Sequence, residues 1–125
     1  MFRALLVEDS LGFRATLHAL IQEHFPAIEI LEAGSGEEAL TVTASYRPDL
    51  VLLDIKLPGE NGLSLTRKLK ASDEAIKVFI LTSYDLPEYR EAALANGASG
   101  FLCKETTTPG DILSLVQTAV AGHLP

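Results

Sequence analysis

Glu8-Asp9, Asp54, Thr82 and Lys104 each follow directly on a short apolar run. The runs are Ala4-Leu5-Leu6-Val7, Leu50-Val51-Leu52-Leu53, Val78-Phe79-Ile80-Leu81 and Gly100-Phe101-Leu102-Cys103. An acid at the end of a buried strand contributes nothing to packing. Standing alone, Asp54 reads equally well as a cap for the turn that Pro58-Gly59 marks. Taken together, three acids, a hydroxyl and an amine at strand tips describe a ligand crevice, because open parallel sheets bind their ligands outside the carboxyl ends of the strands. Carboxylates crowded on one rim repel one another. Either one of them holds its proton or a cation compensates. Oxygen-only ligands suit a hard cation, and an open, hydrated site favours Mg²⁺ over Ca²⁺. The three acids, Lys104 and a divalent ion sum to zero charge, which makes room for a phosphoryl group.

A carboxylate can attack phosphorus to form an aspartyl phosphate. Phosphoryl transfer needs mainly positioning and neutralisation of the equatorial oxygens. Mg²⁺ on Asp9 and Asp54 takes one oxygen in this reading and Lys104 another. The Thr82 hydroxyl, or nearby backbone N–H groups, takes the third. Glu8 holds metal-bound water from behind.

These tips need elements to carry them. Apolar runs alternate with helical patterns five times. Ser10 is a cap for a first helix, with Phe13, Leu17, Leu20 and Ile21 inward and Arg14, His18, Gln22 and Glu23 outward. Glu29-Ile30-Leu31-Glu32-Ala33 alternates as an edge strand does. Ser35 and Glu38 form a capping box for a second helix, which Arg47-Pro48 ends near Tyr46. A third helix spans Gly62 to Ala71. Asp85-Leu86-Pro87-Glu88 reads as the capped start of a fourth, which stops at Asn96-Gly97. Thr108-Pro109 opens a fifth, with Ile112, Leu115, Val116, Ala119 and Val120 on one face. Five βα units predict an α/β, doubly wound, flavodoxin-like fold: a five-stranded parallel sheet in the order 2-1-3-4-5. That order sets the strands ending on Glu8-Asp9 and Asp54 side by side.

The chain of 125 residues is one domain in length, residues 1–125, with 47% hydrophobic and 22% charged residues. No apolar run approaches the ~20 residues that span a bilayer. The N-terminus lacks a signal peptide's cleavage site, and the one cysteine, Cys103, excludes an internal disulfide. A cytoplasmic protein is expected. A net charge of −7, with 10 basic residues against 17 acidic ones, argues against direct nucleic-acid binding.

Glu8-Asp9, Leu50-Val51-Leu52-Leu53-Asp54, Leu57-Pro58-Gly59-x-x-Gly62, Thr82-Ser83 and Gly100-Phe101-Leu102-x-Lys104 occur in order across the whole chain. In this the sequence resembles the receiver domains of bacterial two-component response regulators, most of all those attached to a C-terminal helix-turn-helix. The resemblance implies that Asp54 is the phosphoacceptor for a sensor histidine kinase. It implies that Asp9 and the Lys56 backbone carbonyl join Asp54 on Mg²⁺, with Glu8 in support, and that Lys104 binds the phosphoryl group. It implies that Thr82 and Phe101 are a switch pair, in which the hydroxyl moves toward the phosphoryl group and the ring follows inward. The surface of helix four, strand five and helix five would then dimerise or control an output domain. Receivers usually carry proline after the lysine, in cis; here Glu105 stands there, which leaves the Lys104 peptide less defined.

Other readings fit less well. A haloacid-dehalogenase-type phosphatase needs a second acid two residues after the first, where Lys56 stands. A flavodoxin-type cofactor site needs a phosphate loop where Glu8-Asp9-Ser10 would repel phosphate. A pseudo-receiver normally loses part of the acid set. Lys56 and Tyr84, two positions past Asp54 and Thr82, are placed to tune hydrolysis of the phosphate. Leu11, Phe13 and Arg14 on helix one are the expected kinase-docking face. Tyr89, Arg90 and Glu91 on helix four suit a monomer or a phosphorylation-dependent homodimer. With no helix-turn-helix following, an excised receiver is expected, a stand-alone one being the alternative.

Overall fold

The computed structural model describes residues 1–123; Leu124 and Pro125 lie outside the described residues. The elements run β1 (Arg3–Val7), α1 (Leu11–His24), β2 (Glu29–Ala33), α2 (Gly36–Tyr46), β3 (Leu50–Leu53), α3 (Gly62–Ser72), β4 (Lys77–Thr82), α4 (Pro87–Ala95), β5 (Gly100–Cys103) and α5 (Pro109–His123). All strand pairs are parallel, in the expected order β2-β1-β3-β4-β5. β1 and β3 are flanked on both edges and covered on both faces, so their sequences are continuous apolar runs.

Alternate residues of these strands feed two cores. Leu5, Val7, Val51 and Leu53 pack on one side with Leu65, Leu69 and Ala93 of α3 and α4. Ala4, Leu6, Leu50 and Leu52 pack on the other with Leu17, Ile21, Ile112 and Val116 of α1 and α5. The register pairs Val7 with Leu53 and Leu53 with Ile80. Glu8 and Asp54 therefore leave adjacent strands at the same level, and the Asp54 amide donates to the Val7 carbonyl at 3.1 Å.

The local signals place the helix starts with one exception. The Ser10 hydroxyl accepts from the Phe13 amide at 3.3 Å, and Ser35 accepts from Glu38 at 3.2 Å. The Glu38 carboxylate in turn accepts from the Gly34 amide at 3.0 Å, one residue earlier than in a regular capping box. Asp85 does not cap α4. Pro87 takes the first turn, so the cap position falls on Leu86, whose side chain has nothing to accept with. Asp85 instead pairs with Arg90 at 3.3 Å. At the end of α2, Arg47 adopts a left-handed conformation with φ of 49° ahead of Pro48. Gly97, with φ of 101°, ends α4 as expected.

Gly62 opens α3 directly beneath Asp54. A Cβ there would lie 2.2 Å from the Asp54 carbonyl oxygen and 2.7 Å from the Ile55 Cα, both backbone atoms. We therefore expect Gly62→Ala to cost about 1–3 kcal/mol of stability through overpacking, measured as a lower urea midpoint. An unchanged midpoint would show that α3 yields without strain.

Candidate functional site

The strand tips bring every expected rim residue together. Glu8, Asp54 and Thr82 are buried, at 3, 7 and 0% exposure, while Asp9 faces solvent. One carboxylate oxygen from each of Glu8, Asp9 and Asp54 lies within 4.8 Å of the others, close enough to share a cation. All of these donors are hard oxygens, the set that suits Mg²⁺.

Both oxygens of Asp54 are engaged. The Thr82 hydroxyl donates to Oδ1 at 2.5 Å, and the Lys56 amide approaches the same atom at 3.4 Å. The Tyr84 amide donates back to Thr82 Oγ1 at 3.3 Å, which orients that hydroxyl. Lys104 Nζ donates to Asp54 Oδ2 at 2.9 Å and to Glu8 Oε1 at 2.5 Å. The second oxygen of Glu8 accepts from the Ser10 amide at 3.0 Å. Lys104 is thus shared between two acids, a pairing that sequence spacing does not reveal. Among the described residues no peptide bond is cis, and the Lys104 amide donates to the Thr82 carbonyl at 2.9 Å. That bond extends the β4–β5 ladder by one residue and fixes the lysine's origin even with Glu105 following.

Burial drives Glu8 upward from the ordinary carboxyl value, and Lys104 and the Ser10 amide only partly pull it back. Lys104 loses solvation too, yet its bonds to Glu8 and Asp54 together hold it above the usual lysine value.

Phe101 lies beneath the rim at 7% exposure. The Arg90 guanidinium sits 4.8 Å from its ring centroid and donates to its carbonyl at 3.2 Å. Lys56 Nζ lies 5.0 Å from the Tyr84 ring centroid, so the two expected tuning residues touch each other. On α1, Leu11 is 71% exposed and Phe13 packs its ring 4.4 Å from the Lys104 ammonium. Arg14 is not the solvated side chain its helical position suggested. It donates to the Glu8 carbonyl at 2.7 Å and to Glu32 at 2.6 Å. Only the three-dimensional closeness of β2 to the β1–α1 turn makes that visible.

Because the folded state raises the pKa of Glu8, the associated stability is complete below about pH 4.5 and is lost as pH rises through the folded value. Metal-free Glu8→Gln should accordingly match wild type in melting temperature near pH 4.5 and exceed it at pH 7.5. A Glu8→Gln protein that is less stable than wild type at pH 7.5 in EDTA would contradict this.

The response regulator receiver domain matches residues 4–117. Over 95% of its length the chain is 36% identical to the transcriptional activator protein ExaE of Pseudomonas putida, of which it spans 55%. Over 98% of its length it is 32% identical to sporulation initiation phosphotransferase F of Bacillus subtilis, of which it spans 94%. A two-component response regulator of the LuxR family from Aurantimonas sp. superposes with a TM-score of 0.86 at 30% identity, covering 96% of this chain and 85% of that one. With these likenesses beside the acidic rim, the chain belongs to the receiver domains of two-component response regulators.

Proposed function

We propose that Asp54 accepts a phosphoryl group from a sensor histidine kinase with the help of Mg²⁺. The observation that carries this is the Asp54 carboxylate itself: buried, held by Thr82 and Lys104 on separate oxygens, and within 4.8 Å of two further acids. Asp9, Asp54 and the Lys56 carbonyl would hold the ion, with Glu8 alongside. When bound, Mg²⁺ supplies charge neutralisation at the phosphoryl oxygens.

The chain's own residues do the rest. An Asp54 oxygen attacks phosphorus; a P–O bond forms as the P–N bond to the donor imidazole breaks, and the imidazole leaves with a proton. Lys104 and Thr82 then pass their hydrogen bonds from the carboxylate to phosphoryl oxygens. Their positions are set beforehand by the β4–β5 ladder and by the Tyr84 amide, so little reorganisation is needed. Thr82 and Phe101 act as the switch, coupling the phosphoryl group to the face made by α4, β5 and α5. Arg90 joins that coupling, since it touches the Phe101 ring and carbonyl as well as Asp85. The face would then form a homodimer or engage an output domain, and through it regulate transcription. Leu11 and Phe13 offer the kinase an apolar docking surface, to which Arg14 contributes little while it is held by Glu8 and Glu32. Among the described residues no helix is long and apolar enough to cross a membrane, in keeping with a cytoplasmic site of action.

With Mg²⁺ and acetyl phosphate, wild-type protein should gain the mass of one phosphoryl group; Asp54→Asn and EDTA-treated samples should not. Equal labelling of Asp54→Asn would sink the assignment of the nucleophile, and labelling in EDTA would sink that of the metal. The Lys56–Tyr84 contact spans the loops after β3 and β4, where a hydrolytic water must enter. Tyr84→Ala should shorten the phosphate lifetime by roughly 2- to 5-fold, the equivalent of about 0.5–1 kcal/mol for an exposed cation–π contact. Decay of the labelled mass with time reads this out, and a lifetime equal to or longer than wild type would remove the shielding role.

A further inference from the structure

We propose that Arg14 is a positioning residue for the cation site, fixing the peptide from which Asp9 projects by clamping the Glu8 carbonyl to Glu32 on β2. The inference rests on the metal reading of the rim given above.

The clamp is built from short contacts. Arg14 Nη1 donates to the Glu8 carbonyl at 2.7 Å, and Nε donates to Glu32 Oε1 at 2.6 Å. The Arg14 side chain is only 15% exposed. It lies so close over the end of β2 that a Cβ on Gly34 would come within 3.1 Å of Nη1. From the other side, the Glu8 amide donates to the Ala33 carbonyl at 3.0 Å. Residue 8 is therefore held at its amide, its carbonyl and its carboxylate at once.

The consequence falls on the next residue. The Glu8 carbonyl and the Asp9 amide share one rigid peptide plane. Holding the carbonyl sets the axis about which Asp9 turns, and with it the approach of the exposed Asp9 carboxylate to Asp54. A planar guanidinium bridges two acceptors set apart in this way; a lysine ammonium does so less well. Glu32 also neutralises the arginine, so the clamp adds no free positive charge beside a site meant for a cation. His18 Nδ1 lies 2.8 Å from the second Glu32 oxygen and steadies that carboxylate. Partners of this kind, which orient a ligand without touching the ion, commonly account for 10-fold or more in affinity.

Mn²⁺ serves as the probe, its free concentration read from its sharp electron paramagnetic resonance spectrum. Arg14→Gln should bind Mn²⁺ about 10-fold more weakly than wild type. Its labelling by acetyl phosphate should need correspondingly more Mg²⁺ yet reach the wild-type rate at saturation. Arg3→Gln is the control, because Arg3 pairs with Glu29 at 2.9 Å at the opposite end of the same two strands. It should lose stability without losing Mn²⁺ affinity. Should Arg14→Gln fail to fold, Glu32→Gln and Arg14→Lys take its place, both expected to bind more weakly than wild type. Wild-type affinity in the Arg14 and Glu32 variants, with Asp9→Asn weakened, would overturn the clamp and leave the metal reading standing. No Mn²⁺ binding by wild type, or none lost in Asp9→Asn, would overturn both.

Discussion

The Lys104 ammonium is the interaction on which the rim depends. It stands 2.5 Å from Glu8 and 2.9 Å from Asp54, both almost fully buried. Two carboxylates at the ends of neighbouring strands, withdrawn from water, would otherwise push β1 and β3 apart. Removing the one ammonium from such a group typically costs about 3–5 kcal/mol, because the buried carboxylates are left uncompensated. A side chain from just past the end of β5 thereby reaches across β4 to the acids at the ends of β1 and β3. Phe13 presses its ring against the same ammonium, so α1 also depends on where the lysine lies.

Around that bridge the sheet divides its labour. The central strands give their side chains to two apolar cores, and the residues just past their ends, Glu8 and Asp54, stand at the acidic rim. Thr82 shows how narrow the boundary is: it lies within β4, wholly buried, yet its hydroxyl is bonded to the carboxylate of the neighbouring strand. Gly62 shows the same economy on the backbone side, since the start of α3 abuts the Asp54 carbonyl with no space for a methyl group. Asp54 is thus confined on its side-chain and main-chain atoms alike.

Much of this was legible in the residues because it follows from local rules. Apolar runs ending in polar residues mark the strands, and Ser10, Ser35 and Gly97 mark helix ends through their own backbone chemistry. The strand order followed from right-handed crossovers, and the rim followed from the order. What escaped was pairwise. Lys104 was assigned to phosphate and Glu8 to metal, and neither spacing nor composition says that the two meet. Arg14 sits at an outward helical position, and its destination depends on how α1 lies against β2. Asp85 misled because its cap pattern is outranked by a proline two residues later. Side-chain reach between separate elements is a property of the packed molecule, and periodicity carries no record of it.

The register between β1 and β3 has a final consequence. Val7 faces Leu53, and from that single alignment Glu8 and Asp54 come level. A slip of one residue would turn every apolar side chain of β1 to the opposite face, and it would separate the two acids by the same step. If Asp54 takes up a phosphoryl group as proposed, that reaction also reports on the fold: a donor that found this carboxylate reactive would have found the sheet correctly assembled.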